Sequence, residues 1–249
     1  MSGATLVFHG ELQDFLPGVR DSGRVDYALQ RRASVKDVVE AVGPPHTEVG
    51  DLSINGSRSD FERILRPGDV VQVHPHNPPV DPTSATLLQP EPLDELRFIV
   101  DVNVGKLARM LRMLGFDAAY DWRWTDGHIA AVTGREGRVV LSKDRGLLKR
   151  KEIVWGRLVR AEQPGDQIRE VLRFFGIDAP KAPFSRCLRC NVLLEQVDKR
   201  EILHRLEPKT KKHFQRFHIC PDCGRIYWQG SHHESMRSWL DSLADRELS

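Results

Sequence analysis

The sequence predicts an α/β protein in three parts: a small β-rich module, a central parallel sheet with helices between its strands, and a C-terminal module built on cysteines. Three observations lead there. Strand-like and helical apolar patterns alternate from residue 96 to about residue 175, a proline-rich stretch separates them from a shorter ββαββ pattern in front, and all four cysteines fall in two C-x2-C pairs behind. The net charge of +2 over 249 residues hides an asymmetry, since residues 1–96 carry 8 Lys/Arg against 15 Asp/Glu and the remainder 29 against 20. A basic back half suits a polyanionic partner such as nucleic acid, with a merely solvated surface as the alternative. The 40% hydrophobic content fits packed cores and argues against disorder. No apolar run approaches the ~18 residues that cross a bilayer, and Met1–Gly10 lacks a basic-then-apolar leader, so a cytoplasmic protein without a membrane partner is expected.

The first module, residues 1–75, begins with a strand at Thr5–Phe8 and a second near Val25–Leu29. A helix follows from Ser34, which with Asp37 makes a capping-box pattern, and Val35, Val38, Val39 and Val42 recur at helical spacing. Leu52–Gly56 and Val70–Val73 read as later strands. This order resembles a β-grasp, or ubiquitin-like, fold, and Ile54–Gly56 with Leu65–Val71 is similar to the small sulfur-carrier subunits of molybdopterin and thiamine synthesis. Those carriers need a free C-terminal Gly-Gly, whereas here the last strand runs into His74 and Pro75. The module is therefore expected to bind a protein partner and not to carry sulfur. Residues 76–95, rich in proline, read as an extended linker.

The central module, residues 96–180, opens with strand Leu96–Val100, which ends at Asp101, and a helix over about Val104–Leu114 that buries Leu107, Met110, Leu111 and Leu114. Gly115 ends it. A short strand within Phe116–Tyr120, a helix capped by Asp126, strand Arg138–Leu141, a short helix near Arg145–Lys149, strand Val154–Val159 and helix Gly165–Phe175 complete the pattern. In a parallel sheet the strand C-termini share one edge, where open α/β folds place their sites. Asp101 and Asp144 follow two strands, and Asp126 starts an intervening helix, so all three can meet there. Three carboxylates at ~4 Å repel by about 4 kcal/mol per pair at an effective dielectric of ~20, and a hard divalent cation, Mg²⁺ or Mn²⁺, offsets this. Such an ion can activate water against a phosphodiester; the alternative is that each Asp is a cap or loop residue. Lys106 and Arg109, one turn apart after Asp101, can hold a phosphate, with Arg145 and Lys149 extending the track, unless they are simply solvated. Asn103 reads as a helix cap, with a substrate contact as the alternative. Asp121, beside Trp122 and Trp124, is a candidate further acid, or merely exposed.

In residues 184–249, Cys187, Cys190, Cys220 and Cys223 are spaced to hold one tetrahedral Zn²⁺ at two tight turns, and Gly224 suits the second turn. Two disulfides or a redox pair are the other readings. Seven Lys/Arg between residues 199 and 216 form a surface for a nucleic-acid backbone. Phe214, Phe217, Tyr227 and Trp228 can stack bases or pack the small ribbon, and packing is the reading taken for Tyr227 and Trp228. A closing helix with Met236, Trp239, Leu240 and Leu243 on one face is expected to dock on the body.

Residues 126–133 with 139–145 look like the later acidic positions of PIN-domain ribonucleases. Phe98–Arg112, Phe184–Cys187, Cys190–Asn191 and Cys220–His232 resemble the mutator-seven C-terminal RNase family, which joins a PIN-like domain to a zinc ribbon, some members having a ubiquitin-like domain in front. The resemblance implies metal-dependent RNA cleavage, with Asp101, Asp126 and Asp144 in the carboxylate positions. Typical PIN nucleases add an acid on an early helix, where this chain has Lys106, Arg109 and Arg112. The rival expectations are a non-catalytic RNA-binding adapter and a ubiquitin-like or sulfur-carrier-like scaffold.

Overall fold

The computed structural model describes residues 3–18, 23–230 and 238. Its first part is a five-stranded sheet of β1 (Gly3–Phe8), β2 (Arg24–Ala28), β3 (Val49–Ile54), β4 (Ser57–Arg58) and β5 (Val70–Pro75), in the order β2-β1-β5-β3-β4. Only the β1–β5 pair is parallel, which is the β-grasp arrangement. Asn55 and Gly56, at φ 52° and 82°, close the β3–β4 hairpin, and the two-residue β4 is an edge that the sequence pattern did not reveal. Helix α1 (Val35–Val42) starts at the expected capping box, with the Asp37 amide donating to Ser34 Oγ at 3.1 Å and the Ser34 amide to Asp37 Oδ2 at 3.2 Å.

The central sheet contains β6 (Phe98–Val100), β7 (Ala118–Ala119), β8 (Val139–Ser142) and β9 (Gly156–Leu158), all parallel, in the order β7-β6-β8-β9. The connecting helices are α2 (Gly105–Met113), α3 (Asp126–Glu136), α4 (Arg145–Leu148) and α5 (Pro164–Phe174). Strand alternation sends Phe98, Val100, Val139 and Leu141 to one face, covered by Leu107 and Leu111 of α2 and Ile168 and Val171 of α5. Ile99 and Val140 go to the other face, against Ile129 and Ala130 of α3 and Leu147 and Leu148 of α4. That second cluster continues without a break into Phe15, Val38, Leu52 and Phe61 of the β-grasp module. Two modules that read as separate in sequence thus share one core.

Residues 76–95 have no helix or strand, as a linker would, but they are not free. Val80 and Leu88 are buried, and the Val80 amide donates to Phe174 O at 2.8 Å. The last described part is an antiparallel sheet of β10 (Glu195–Val197), β11 (Phe217–Ile219) and β12 (Ile226–Trp228), a zinc-ribbon arrangement. Its basic insert folds into α6 (Lys199–Ile202) and α7 (Pro208–His213). The expected C-terminal helix carrying Met236, Trp239, Leu240 and Leu243 lies outside the described residues, as do His232 and His233.

A four-stranded parallel sheet has two edge strands, each with outward amides and carbonyls that need partners. On β9 the Leu158 amide donates to Glu48 Oε1 at 2.7 Å, and Arg157 Nη1 donates to Glu48 Oε2 at 2.8 Å and Glu11 Oε1 at 2.8 Å. Glu48 is wholly buried. On β7 the Ala118 amide donates to Asn191 Oδ1 at 3.0 Å, and Ala118 O accepts from Arg112 Nε at 2.8 Å. One edge is closed by the β-grasp module and the other by the ribbon.

Burial pushes the Glu48 carboxyl up to about 6 against the pull of Arg157, so it remains ionised at neutral pH. Removing one partner of a buried ion pair leaves the other charge uncompensated, so Glu48→Ala should lower unfolding free energy by about 3–5 kcal/mol in a urea titration. Glu48→Gln, which keeps an acceptor for Leu158, should lower it less. Burial between Trp155 and Phe174 pushes the half-buried His76 imidazole down to about 4, with the Thr47 carbonyl at 3.1 Å opposing and Arg157 assisting. The folded state therefore favours neutral His76, whose contribution is present above about pH 6.5 and is lost as pH falls toward about 4, whereas the raised Glu48 value acts in the opposite sense between about 4.5 and 6. The stability of wild type relative to His76→Gln should accordingly decline as pH falls through that window; a constant difference would contradict the burial of His76.

Candidate active site and metal centre

The C-terminal edge of the parallel sheet carries Asp101 after β6 and Asp144 after β8, with Asp126 at the first residue of α3. Asp101 is buried at 5% exposure and accepts three hydrogen bonds of 2.6 Å: from the Val102 amide to Oδ1, and from Asn103 Nδ2 and Ser142 Oγ to Oδ2. The same Ser142 hydroxyl accepts from the Asp144 amide at 2.8 Å. One oxygen atom thus ties the end of β6 to the start of α4. Asn103, expected as a helix cap, instead joins the two strand ends, donating to Asp101 and accepting from the Lys143 amide at 3.1 Å. Asp101 itself caps the following turn.

Asp144 caps α4, its Oδ1 accepting from the Gly146 amide at 2.6 Å and the Leu147 amide at 3.3 Å, and among the described residues its Oδ2 accepts no hydrogen bond. The cap of α3 is Thr125 and not Asp126, because Thr125 Oγ1 accepts from the His128 amide at 3.3 Å. Asp126 is thereby left exposed at the helix start. Asp121 is committed to Arg123, which donates to it from Nε at 3.0 Å and Nη2 at 2.8 Å, and this pairing holds its carboxyl down to about 2.

Lys106 and Arg109 are exposed on α2 and make no ion pair among the described residues. Arg145 and Lys149 reach the β-grasp module. The Arg145 guanidinium lies 4.7 Å from the Phe15 ring centroid, and Lys149 Nζ donates to Glu40 O at 2.6 Å. Farther along this interface Arg160 pairs with Glu11 and Asp14, each at 3.2 Å.

In the ribbon the four cysteines are free thiols, and their Sγ atoms all lie within 4.8 Å of one another. They are the one group of three or more His, Cys, Asp or Glu side chains that converges so closely among the described residues; the three aspartates share an edge without closing to that spacing. Both C-x2-C turns have the same construction. The Asn191 amide donates to Cys187 O and the Gly224 amide to Cys220 O, both at 2.9 Å, and Asn191 and Gly224 have φ of 72° and 66°. Backbone amides of Cys190 and Cys223 point at Cys187 and Cys220 Sγ at 3.3 and 3.4 Å. Although burial raises the Cys187 thiol, the Tyr227 hydroxyl and the amides of Cys190 and Arg189 pull it down to about 6. Four soft donors at this spacing, each turn aiming amides at sulfur, fit a closed structural zinc shell with no open coordination position. Tyr227 packs as expected, its hydroxyl 3.2 Å from Cys187 Sγ, whereas Trp228 stays exposed while its ring meets Phe217 with centroids 6.3 Å apart.

Sequence reasoning missed Ser142, Glu48, Arg112 and the docking role of Asn191. Arg112 is buried, with Nη1 donating to Leu188 O at 3.1 Å and Arg189 O at 2.8 Å in the first cysteine turn. Only Asn191 had a readable signal: it occupies the place after Cys190 that Gly224 holds after Cys223, and Asn is the non-glycine residue most tolerant of positive φ.

With this geometry in hand, a family model described as the Mut7-C RNAse domain matches residues 96–240, more than half of the chain, and one described as Mut7-C ubiquitin matches residues 1–81. No curated protein and no solved structure matches.

Freshly purified protein should contain about one zinc per chain, and a strong chelator or Cys187→Ser should release it and lower the melting temperature. Metal content is read by atomic spectroscopy; less than half an equivalent would contradict a zinc ribbon.

Proposed function

The chain belongs to the Mut7-C RNAse domain family, and from that membership we propose that it hydrolyses RNA phosphodiesters at the C-terminal edge of its parallel sheet. The observation that carries this reading is the Asp101–Ser142–Asp144 linkage, in which one hydroxyl holds two strand-end acids in register. Hard carboxylate oxygens suit Mg²⁺ or Mn²⁺, and the exposed Asp126 and the uncommitted Oδ2 of Asp144 leave donors for it on the same sheet edge as Asp101. When bound, such an ion supplies charge neutralisation and an acidified water.

The chain's own residues do the rest. Val102, Asn103 and Ser142 fix Asp101 against rotation, each donating to one of its carboxylate oxygens. Lys106 and Arg109 stabilise the charge that develops on the phosphate. On the ribbon, Lys209, Lys211, Lys212 and Arg216 have no side-chain partner among the described residues and can track the RNA backbone, while Lys199, Arg200 and Arg205 are engaged with Lys211 O, Asp198 and Gly224 O. Zinc holds this surface in place. A protein partner of the β-grasp module would use faces that its contact with the central sheet leaves open. The absence among the described residues of a helix long and apolar enough to cross a membrane, with four free thiols, is compatible with the cytoplasm, the compartment this reading assigns.

Labelled single-stranded RNA should be cut in a Mn²⁺- or Mg²⁺-dependent manner. Asp101→Asn and Asp144→Asn should each reduce the rate by at least about 100-fold while leaving RNA affinity without added divalent metal within about threefold. Metal-dependent binding without cleavage by the wild type would instead favour an RNA-binding adapter.

A further inference from the structure

The loop after β7 lies at the same edge as Asp101, since β7 and β6 are parallel neighbours. It carries Trp122, which is 70% exposed, more than any other large hydrophobic side chain among the described residues. In the turn that follows the neighbouring strand β6, Val102 is 53% exposed. Scattered apolar side chains on a surface need no explanation, but a tryptophan so open and next to a candidate active edge does.

The loop is built to present that ring. The Trp124 amide donates to Asp121 O at 3.1 Å, the Arg123 amide to Asp121 Oδ1 at 3.0 Å, and the Arg123 guanidinium clamps the same carboxylate. Trp124 packs against the shared core and lies 5.0 Å from the His128 ring. Tyr120 abuts the start of α2 so closely that a Cβ on Gly105 would come 2.6 Å from its hydroxyl. Tyr120, which leads into the braced turn, thus packs on Gly105, the residue before Lys106 on the helix that also carries Arg109, and both cations are exposed and without ion-pair partners among the described residues.

We propose that Trp122 is a stacking platform for an unpaired base of single-stranded RNA, whose adjoining phosphates are held by Lys106 and Arg109. This rests on the RNA reading above and adds a base-binding subsite to it. An aromatic face beside cations matches the alternation of π-surface and negative charge in a single strand, whereas a duplex keeps its base faces stacked internally. Stacking tolerates any base, so the subsite selects for strandedness and not for sequence.

The test is fluorescence anisotropy with a labelled 12-nucleotide single-stranded RNA, an abasic oligomer of the same length and a duplex, without added divalent metal. Trp122→Ala should weaken single-strand binding by about 5- to 100-fold, the range expected for losing one stacked base, and Trp122→Phe should recover most of it. Abasic and duplex binding should not change. Equal affinity of wild type and Trp122→Ala for the single strand, an equal loss for the abasic oligomer, or no binding of single-stranded RNA by the wild type would each overturn the proposal. Trp122-dependent binding by a protein that fails to cleave would uphold the platform and overturn the nuclease reading instead, which keeps the two separable.

Discussion

The two open edges of the central sheet constrain everything around it. Four parallel strands, three of them only two or three residues long, cannot leave outward backbone groups bare without losing stability or inviting another strand. The chain answers with side chains from both flanking modules: Glu48 reaches the β9 amide and Asn191 the β7 amide. Each is backed by a buried arginine, Arg157 on one side and Arg112 on the other. Both flanking modules thus supply partners that the edges of the middle one need.

The same contacts account for part of the charge asymmetry. Glu11, Asp14 and Glu48 of the acidic front face Arg157 and Arg160 of the basic back. Some of the positive charge that suggested a polyanionic partner is therefore neutralised within the molecule. Among the cations that remain open are Lys106 and Arg109 on α2 and the lysines of α7. Arg145, next to Asp144 in sequence, is drawn toward Phe15. The β-grasp module consequently borders the candidate active edge as a wall.

Local patterns were legible in the sequence and lateral contacts were not. The valines of α1, the strand ending at Asp101 and the paired cysteines all depend on neighbours within a few residues, which periodicity and spacing reveal. The Ser34 capping box was readable for the same reason. Asp126 was mistaken for a cap because Thr125 and Asp126 are both good caps, and only backbone geometry chooses between them. Ser142 looked like an ordinary strand residue, since its partner Asp101 is 41 positions away. Glu48 and Arg157, 109 positions apart, were equally hidden, because the sequence between them contains a proline-rich stretch that suggests independence.

That stretch carries a consequence for motion. The hydrogen bond from Val80 to Phe174 O fixes the connection partway, so the span from the end of β5 to that bond runs only from Pro75 to Val80, with His76 inside it packed between Trp155 and Phe174. Five peptide units reach at most about 18 Å when fully extended. Were the β-grasp module to lift off the sheet, the tether would keep it within that radius, so an external partner of the same face would have to compete with an intramolecular contact.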